Sequence, residues 1–178
     1  LIGGHGVWWA GGERQLEEAG RSLKIPVFNI PYHQKLLGEE CEAYMGLADI
    51  HQYHPSKEAF EEADLVLMVG ARLDNQMNFG NPPLFPATVN LVCINGSNEE
   101  IELNRAADFT LLSDPVAFLE ALIAAGGNAE TPRDRSWYDL NRQRRAIWVD
   151  KMIAEVEEEA SQPEFEGRIH PMQLAMDV

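Results

Sequence analysis

The feature that most constrains the fold is an unbroken apolar run over residues 65–69, bounded by Asp64 and Gly70. A short continuous run between turn-forming residues is typical of a strand buried on both faces, and such strands belong to parallel sheets covered by helices. Other short apolar runs that predict strands lie at residues 1–2, 25–30, 88–94 and 109–112. The chain is therefore predicted to contain a mostly parallel sheet.

Helical spacing of apolar residues appears between these strands. Helices are predicted at residues 15–23, 56–63 and 115–125. Ser56 is the expected N-cap of the second, and Asp114, followed by a proline, that of the third. Alternating strands and helices predict the α/β class: an open, doubly wound, mostly parallel sheet with helices on both faces, Rossmann-like in type. The pattern does not specify the strand order, and it predicts that residues 31–55 are irregular.

The last third of the chain differs in character. Residues 128–162 are predicted to form an appended amphipathic helix, and residues 163–178 a linker and the start of a further domain, which leaves 1–127 as the sheet domain. The strand-like start and the helix-like end favour a piece of a longer protein, with a chain trimmed at both termini as the alternative. The apolar stripe of the helix comprises Trp137, Leu140, Trp148, Met152, Ile153 and Val156.

Charge and cysteine content limit the partners. The chain has 14 Lys and Arg against 29 Asp and Glu, a formal net charge of −15. Such a surface repels phosphate backbones and anionic lipids, so neither nucleic acid nor membrane is an expected partner. No apolar run approaches the roughly 20 residues of a spanning helix, and no signal peptide is visible. Two cysteines cannot form a disulfide framework, so a cytoplasmic location is expected.

Three early glycines, Gly3, Gly4 and Gly6, follow a predicted strand end and precede a helix. At that point of a doubly wound fold, backbone approaches ligands and a helix N-terminus can meet phosphate. The spacing is GGxG and not the dinucleotide fingerprint GxGxxG. The glycines therefore predict either a phosphate loop or a turn without a ligand.

A second candidate segment, residues 70–74, follows the most apolar strand at its carboxyl end, where ligands of open α/β sheets bind. Arg72 has a planar guanidinium group that can pair with phosphate, and Asp74 can accept a hydrogen bond from a ribose hydroxyl. The alternative is a structural pair between Arg72 and Asp74 that closes the loop.

Catalytic and metal-binding patterns are absent from the sequence. His51 and His54 have HxxH spacing, but no cysteine or carboxylate lies at ligand spacing beside them. There is no GxSxG motif, and neither Cys41 nor Cys93 has an activating neighbour. We therefore expect no catalytic residue and no metal site in this chain.

Several stretches occur in a familiar order: Gly3–Gly6, Leu23–Val27, Met45–Gly46, Ala63–Asp74 and Val92–Asn95. This order resembles the central domain of thiamine-diphosphate-dependent enzymes, in the group of acetolactate synthase, oxalyl-CoA decarboxylase and benzaldehyde lyase. The resemblance covers about residues 1–125, and Ala63–Asp74 is its most specific part.

The resemblance implies a three-domain parent enzyme that makes or breaks a carbon–carbon bond next to a carbonyl. In that family the first domain binds the pyrimidine end of thiamine diphosphate. The third binds the diphosphate and Mg²⁺ through a GDG…N motif, which these 178 residues lack. Residues 163–178 would lead into that third domain. The implied partners are the two other domains and a second copy of the parent, in a homo-oligomer, while this chain alone is not expected to be an enzyme.

In relatives the central domain binds FAD, binds an adenine nucleotide or is empty. The chain departs from the FAD-binding members at Gln76, where they have a second arginine, and at Asn95, where they have an aspartate placed for a ribose. The resemblance implies a pocket that binds FAD or ADP weakly, or a vestigial pocket. Its expected residues are the matching positions Gly3, Gly4, Met45, Gly46, Gly70, Ala71, Arg72 and Asp74, together with Gly6 and Asn95.

Other classes fit the same scaffold less well. A stand-alone dinucleotide-binding domain of an oxidoreductase is the main alternative, although GxGxxG and the acidic residue about 20 positions later are missing. A sirtuin-like deacylase would need a zinc module of four cysteines. A pure assembly module with an empty pocket is compatible with the thiamine-enzyme hypothesis.

Overall fold

The computed structural model describes residues 1–31, 36–49, 51, 54–127, 134–162, 165 and 167–176. The strands of this part are β1 (Ile2–Gly3), β2 (Val27–Asn29), β3 (Tyr44–Leu47), β4 (Leu65–Val69), β5 (Asn90–Asn95) and β6 (Phe109–Leu112). The helices are α1 (His5–Trp9), α2 (Glu13–Leu23), α3 (His54–Glu62), α4 (Pro115–Gly127), α5 (Ser136–Ala160) and α6 (Pro171–Met176), with an irregular 3-10 segment at Asn75–Gly80.

The strands form one sheet in the order β3-β2-β1-β4-β5-β6, and every described pairing is parallel. Helices α1, α2 and α4 pack with one another, and α3 packs with α5. Right-handed crossovers put these two groups on opposite faces, because the winding reverses between β1 and β4. The predicted class, an open doubly wound α/β sheet, is confirmed, and its switch point lies between the carboxyl ends of β1 and β4.

The centre of the core is the pair β4–β5. Val66, Met68 and Val69 of β4 are buried, as are Leu91 and Ile94 of β5. The first residue of the apolar run behaves differently, since Leu65 is 50% exposed at the amino edge of the sheet. Leu67 is partly buried, so the run is buried or partly buried at every position after Leu65.

One strand and one helix were not predicted. Residues 31–55, expected to be irregular, contain β3, which pairs with β2 through Val27 and Asn29. The strand has four residues at the edge of the sheet and includes Gly46 at φ +108°, so it lacks the long β-branched run that marks a central strand. Helix α1 has five residues and falls in the segment interpreted as a glycine turn.

The two predicted N-caps have different outcomes. Asp114 caps α4, since its carboxylate accepts a hydrogen bond from the Ala117 amide at 3.0 Å. Ser56 is not a cap, because α3 begins at His54 and places Ser56 in its first turn. The Ser56 hydroxyl instead donates to the Asp49 carbonyl at 3.3 Å. It ties α3 to the segment after β3.

Helix α5 packs against α3 and β3. Its first turn inserts Tyr138 into the core, while Leu140, assigned to the apolar stripe, is exposed. Ion pairs join the helix to the sheet domain: Arg142 to Glu42, Arg144 to Glu58 and Glu62, and Arg145 to Glu39. Pairs this close to solvent each contribute about 0–1 kcal/mol, so the apolar contact is the stronger attachment. The division at 127 and 162 stays a prediction.

Candidate functional site at the switch point

The turn after β1 and the loop after β4 meet backbone to backbone. The Gly4 amide donates to the Val69 carbonyl at 3.0 Å, and the Gly6 amide donates to the Gly70 carbonyl at 2.8 Å. A Cβ on Gly4 would lie 2.3 Å from the Gly70 oxygen. Glycine is required here because the two backbones leave no room for a side chain.

These hydrogen bonds change the expected role of the glycines. The sequence left open whether these glycines form a phosphate loop or a turn without a ligand, and the structure shows that the Gly6 amide is engaged by Gly70. Gly3 faces α2, where an added Cβ would lie 2.7 Å from Leu16. The amides of Gly4 and Gly6 therefore join β1 to the end of β4, and neither amide is free to bind an anion.

A cavity of about 390 Å³ opens beside this junction at the carboxyl edge of the sheet. That is where open parallel sheets bind ligands, and the volume lies within the range of small-molecule sites. A smaller cavity of about 220 Å³ lies at the amino edge, among the starts of β1, β2 and β4. The carboxyl-edge cavity is lined by His5, Gly6, Trp9, Ile30, Pro31, Gly70, Ala71, Arg72, Asp74, Asn95 and Glu100.

Arg72 forms an ion pair with Glu100, and not with Asp74 as one hypothesis had it. Its Nη1 atom lies 3.4 Å from both carboxylate oxygens, with the two side chains 54% and 37% exposed. Asp74 instead accepts a hydrogen bond from the Gln76 amide at 3.1 Å and caps the 3-10 segment. The Arg72–Glu100 ion pair thus connects the loop after β4 to the loop after β5.

Asn95 and Gln76, the two positions that the resemblance marked as departures, have local roles. Asn95 is buried, and its side-chain oxygen accepts a hydrogen bond from the Ser97 amide at 3.1 Å, which shapes the turn after β5. Gln76 is also buried but does not line the cavity. Of the two substitutions, only Asn95 therefore changes the cavity wall.

The structure brings six of the ten predicted site residues together: Gly6, Gly70, Ala71, Arg72, Asp74 and Asn95. Gly3 and Gly4 are not among the lining residues and lie in the β1–β4 junction. Met45 and Gly46 lie on the edge strand β3, which β2 separates from β1. A ligand-binding role for the ten residues stays a prediction.

Sequence analysis missed five lining residues: His5, Trp9, Ile30, Pro31 and Glu100. Glu100 lies five residues after Asn95 in the chain, and the loops after neighbouring parallel strands meet at one edge. Once β4 and β5 are known to be neighbours, Glu100 becomes a candidate partner of Arg72. Trp9 lines the same cavity and is 77% exposed.

Both cysteines, Cys41 and Cys93, lie in the described part of the chain, where they are buried and free. Burial raises the pKa of the Cys41 and Cys93 thiols, which disfavours the reactive thiolate. Across the described residues, no three His, Cys, Asp or Glu side chains converge to hold a metal ion. The same residues include no helix long and apolar enough to cross a bilayer.

The sheet order and the switch-point cavity define a Rossmann-like domain. Residues 1–122 match the family model described as thiamine pyrophosphate enzyme, central domain. This chain belongs to that family. The alternative of a stand-alone dinucleotide-binding oxidoreductase domain is not supported by the comparisons.

Two curated proteins are similar to part of this chain. The chain is 32% identical over 107 residues to 2-hydroxyacyl-CoA lyase 1 of Dictyostelium discoideum, covering 60% of this chain and 16% of that protein. It is 25% identical over 125 residues to the acetolactate synthase large subunit of Cyanidium caldarium, covering 70% and 21%.

A solved structure shares the fold. The thiamine diphosphate-dependent 4-hydroxybenzoylformate decarboxylase of Rhodococcus jostii RHA1 superposes with a TM-score of 0.61 at 17% identity, covering 76% of this chain and 25% of that one. At this identity the likeness concerns the fold alone. The chain thus spans about a fifth of the length of the curated relatives described above.

Proposed function

We propose that this chain acts as the central, non-catalytic domain of a thiamine-diphosphate-dependent enzyme that makes or breaks a carbon–carbon bond next to a carbonyl. The support is the family match over residues 1–122, together with relatives named as a lyase and as acetolactate synthase. Those relatives are about five times as long as the matched segment. The chemistry is proposed to belong to neighbouring domains of the parent and to a second subunit.

The described residues do not fit thiamine diphosphate with Mg²⁺. The GDG…N motif is absent from the sequence, and no carboxylate set converges in the described part of the chain. No reaction step is therefore assigned to these residues. A reducing, cytoplasmic compartment is part of the proposal, since the two thiols are buried and free.

The carboxyl-edge cavity is proposed to hold an adenine nucleotide, either ADP or the ADP part of FAD. The observation that carries this proposal is Arg72, a half-exposed guanidinium in the cavity at the switch point. Its ion pair with Glu100 is weak, because both groups reach solvent, so a phosphate can replace the carboxylate. Trp9 offers an exposed ring for an adenine base, and Asp74 an acceptor for a ribose hydroxyl.

A thermal-shift series tests this function. ADP at millimolar concentration is expected to stabilise the wild-type chain, while thiamine diphosphate with Mg²⁺ has no effect. At about ten times its dissociation constant a ligand adds about 1.4 kcal/mol, which raises the Tm of a domain of this size by about 3–6 °C. R72A is expected to lose the ADP shift, because the phosphate loses its cation.

The matched control is R21A, which removes an exposed arginine that pairs with Glu18 on α2, outside the cavity lining. It should keep the full ADP shift. An ADP shift that survives R72A unchanged would place the nucleotide elsewhere. Stabilisation by thiamine diphosphate with Mg²⁺ would contradict the assignment of that cofactor to other domains. If ADP does not raise the Tm of the wild-type chain, the nucleotide site is contradicted and an assembly role remains.

A further inference from the structure

We infer that Glu100 sets the selectivity of the switch-point cavity between phosphate-bearing and neutral ligands. Its carboxylate pairs with the Arg72 guanidinium, which a phosphate would need as its own partner. The inference rests on the proposed adenine-nucleotide site and extends it. Glu100 acts as a built-in competitor: a ligand with phosphates must displace it from Arg72, whereas a neutral nucleoside has no such requirement.

The geometry makes this competition direct. Both Glu100 oxygens lie 3.4 Å from the same Arg72 nitrogen, and both side chains line the same cavity. Among the described residues that line the cavity, Arg72 is the single arginine or lysine, against the carboxylates of Asp74 and Glu100. This described part of the wall therefore carries more negative than positive formal charge, and its guanidinium is already paired with Glu100.

The carboxylate can leave without disrupting the fold. The Glu100 side chain is exposed enough to reach water, so its displacement buries no unpaired charge. It still opposes an incoming phosphate twice, first by holding Arg72 and then by like-charge repulsion within a few ångströms. Solvent screening keeps both effects small, on the scale of an exposed ion pair.

The test compares E100Q with wild type by titration calorimetry with ADP, adenosine and inorganic pyrophosphate. Glutamine keeps the size and hydrogen-bonding capacity of the side chain but removes its charge. We expect ADP and pyrophosphate to bind E100Q about three- to fivefold more tightly, as the loss of one exposed ion pair allows. Adenosine affinity should not change, because adenosine carries no phosphate.

E99Q is the matched control, since Glu99 is the neighbouring exposed carboxylate and does not line the cavity. An equal gain in E99Q would assign the effect to net charge and overturn the inference, as would an equal gain for adenosine. ADP binding that E100Q leaves unchanged would overturn the inference while the nucleotide site stands. A gain for pyrophosphate without ADP binding would support Glu100 as an anion competitor and contradict the nucleotide site. If neither anion binds either protein, both proposals fail.

Discussion

Y138A is expected to lower the free energy of unfolding by about 3–5 kcal/mol, the usual cost of truncating a large buried aromatic side chain. Tyr138 is 0% exposed although it belongs to a helix with a mostly exposed surface. Its ring fills space in the core, and the Lys24 ammonium lies 5.3 Å from the ring centroid. Urea denaturation followed by circular dichroism measures the change.

The variant Y138F distinguishes the contribution of the Tyr138 ring to stability from that of its hydroxyl. The hydroxyl is buried and has no hydrogen-bond partner in the described part of the chain, and burial raises the pKa of Tyr138 to about 12. Removing an unsatisfied polar group is expected to leave stability unchanged or to raise it slightly. A loss in Y138F as large as in Y138A would show that the hydroxyl makes a stabilising bond. A loss below about 1 kcal/mol in Y138A would mean that α5 is not anchored through the core.

G4A is expected to cost about 3 kcal/mol or more and to reduce the yield of folded protein. Its Cβ would lie 2.3 Å from the Gly70 oxygen and 2.4 Å from the Ala71 Cα. Both contacts are with backbone, so no rotamer change relieves them. The β1–β4 junction would have to separate, which breaks the hydrogen bond between Gly4 and Val69.

G96A provides the comparison for this substitution. Gly96 follows β5 at the same edge of the sheet, but the nearest atom to an added Cβ is the Ser113 oxygen at 3.9 Å. Alanine there is expected to be neutral or slightly stabilising, since it restricts only the unfolded chain. Equal destabilisation by G4A and G96A in thermal unfolding would contradict the close packing at the switch point.

The sequence predicted the parts of the fold that depend on local chemistry. The apolar run of β4, the β6 strand at residues 109–112 and the Asp114 cap were all found in place. Each depends on burial of consecutive apolar residues or on a side chain capping its own helix. The appended helix was predicted as well, but not that its Tyr138 enters the core.

What the sequence could not supply is the placement of one segment beside another. The short edge strand β3 has no distinctive composition, because an edge strand needs fewer apolar residues than a central one. The partner of Arg72 was likewise hidden, since Glu100 becomes its neighbour only through the pairing of β4 with β5. Residues within one loop suggested an Arg72–Asp74 pair, and the sheet order determined the actual one.

These placements bear directly on function. The glycines for which the sequence left open a phosphate loop or a turn join β1 to β4, so the proposed ligand-binding groups are the side chains of Arg72, Asp74, Asn95 and Trp9. In the proposed parent enzyme, a nucleotide at this position would bind outside the domains to which the proposal assigns the bond-forming chemistry. The bound nucleotide would then stabilise the central domain, because it binds the folded chain and not the unfolded one.

A crystal structure of the chain grown with ADP tests the central claim most directly. We expect the nucleotide in the carboxyl-edge cavity, with its phosphates within hydrogen-bond distance of Arg72, its base at Trp9, and the Glu100 carboxylate turned toward solvent. An ADP molecule bound in the amino-edge cavity, or an empty carboxyl-edge cavity with the Arg72–Glu100 pair intact at saturating ADP, would contradict the account.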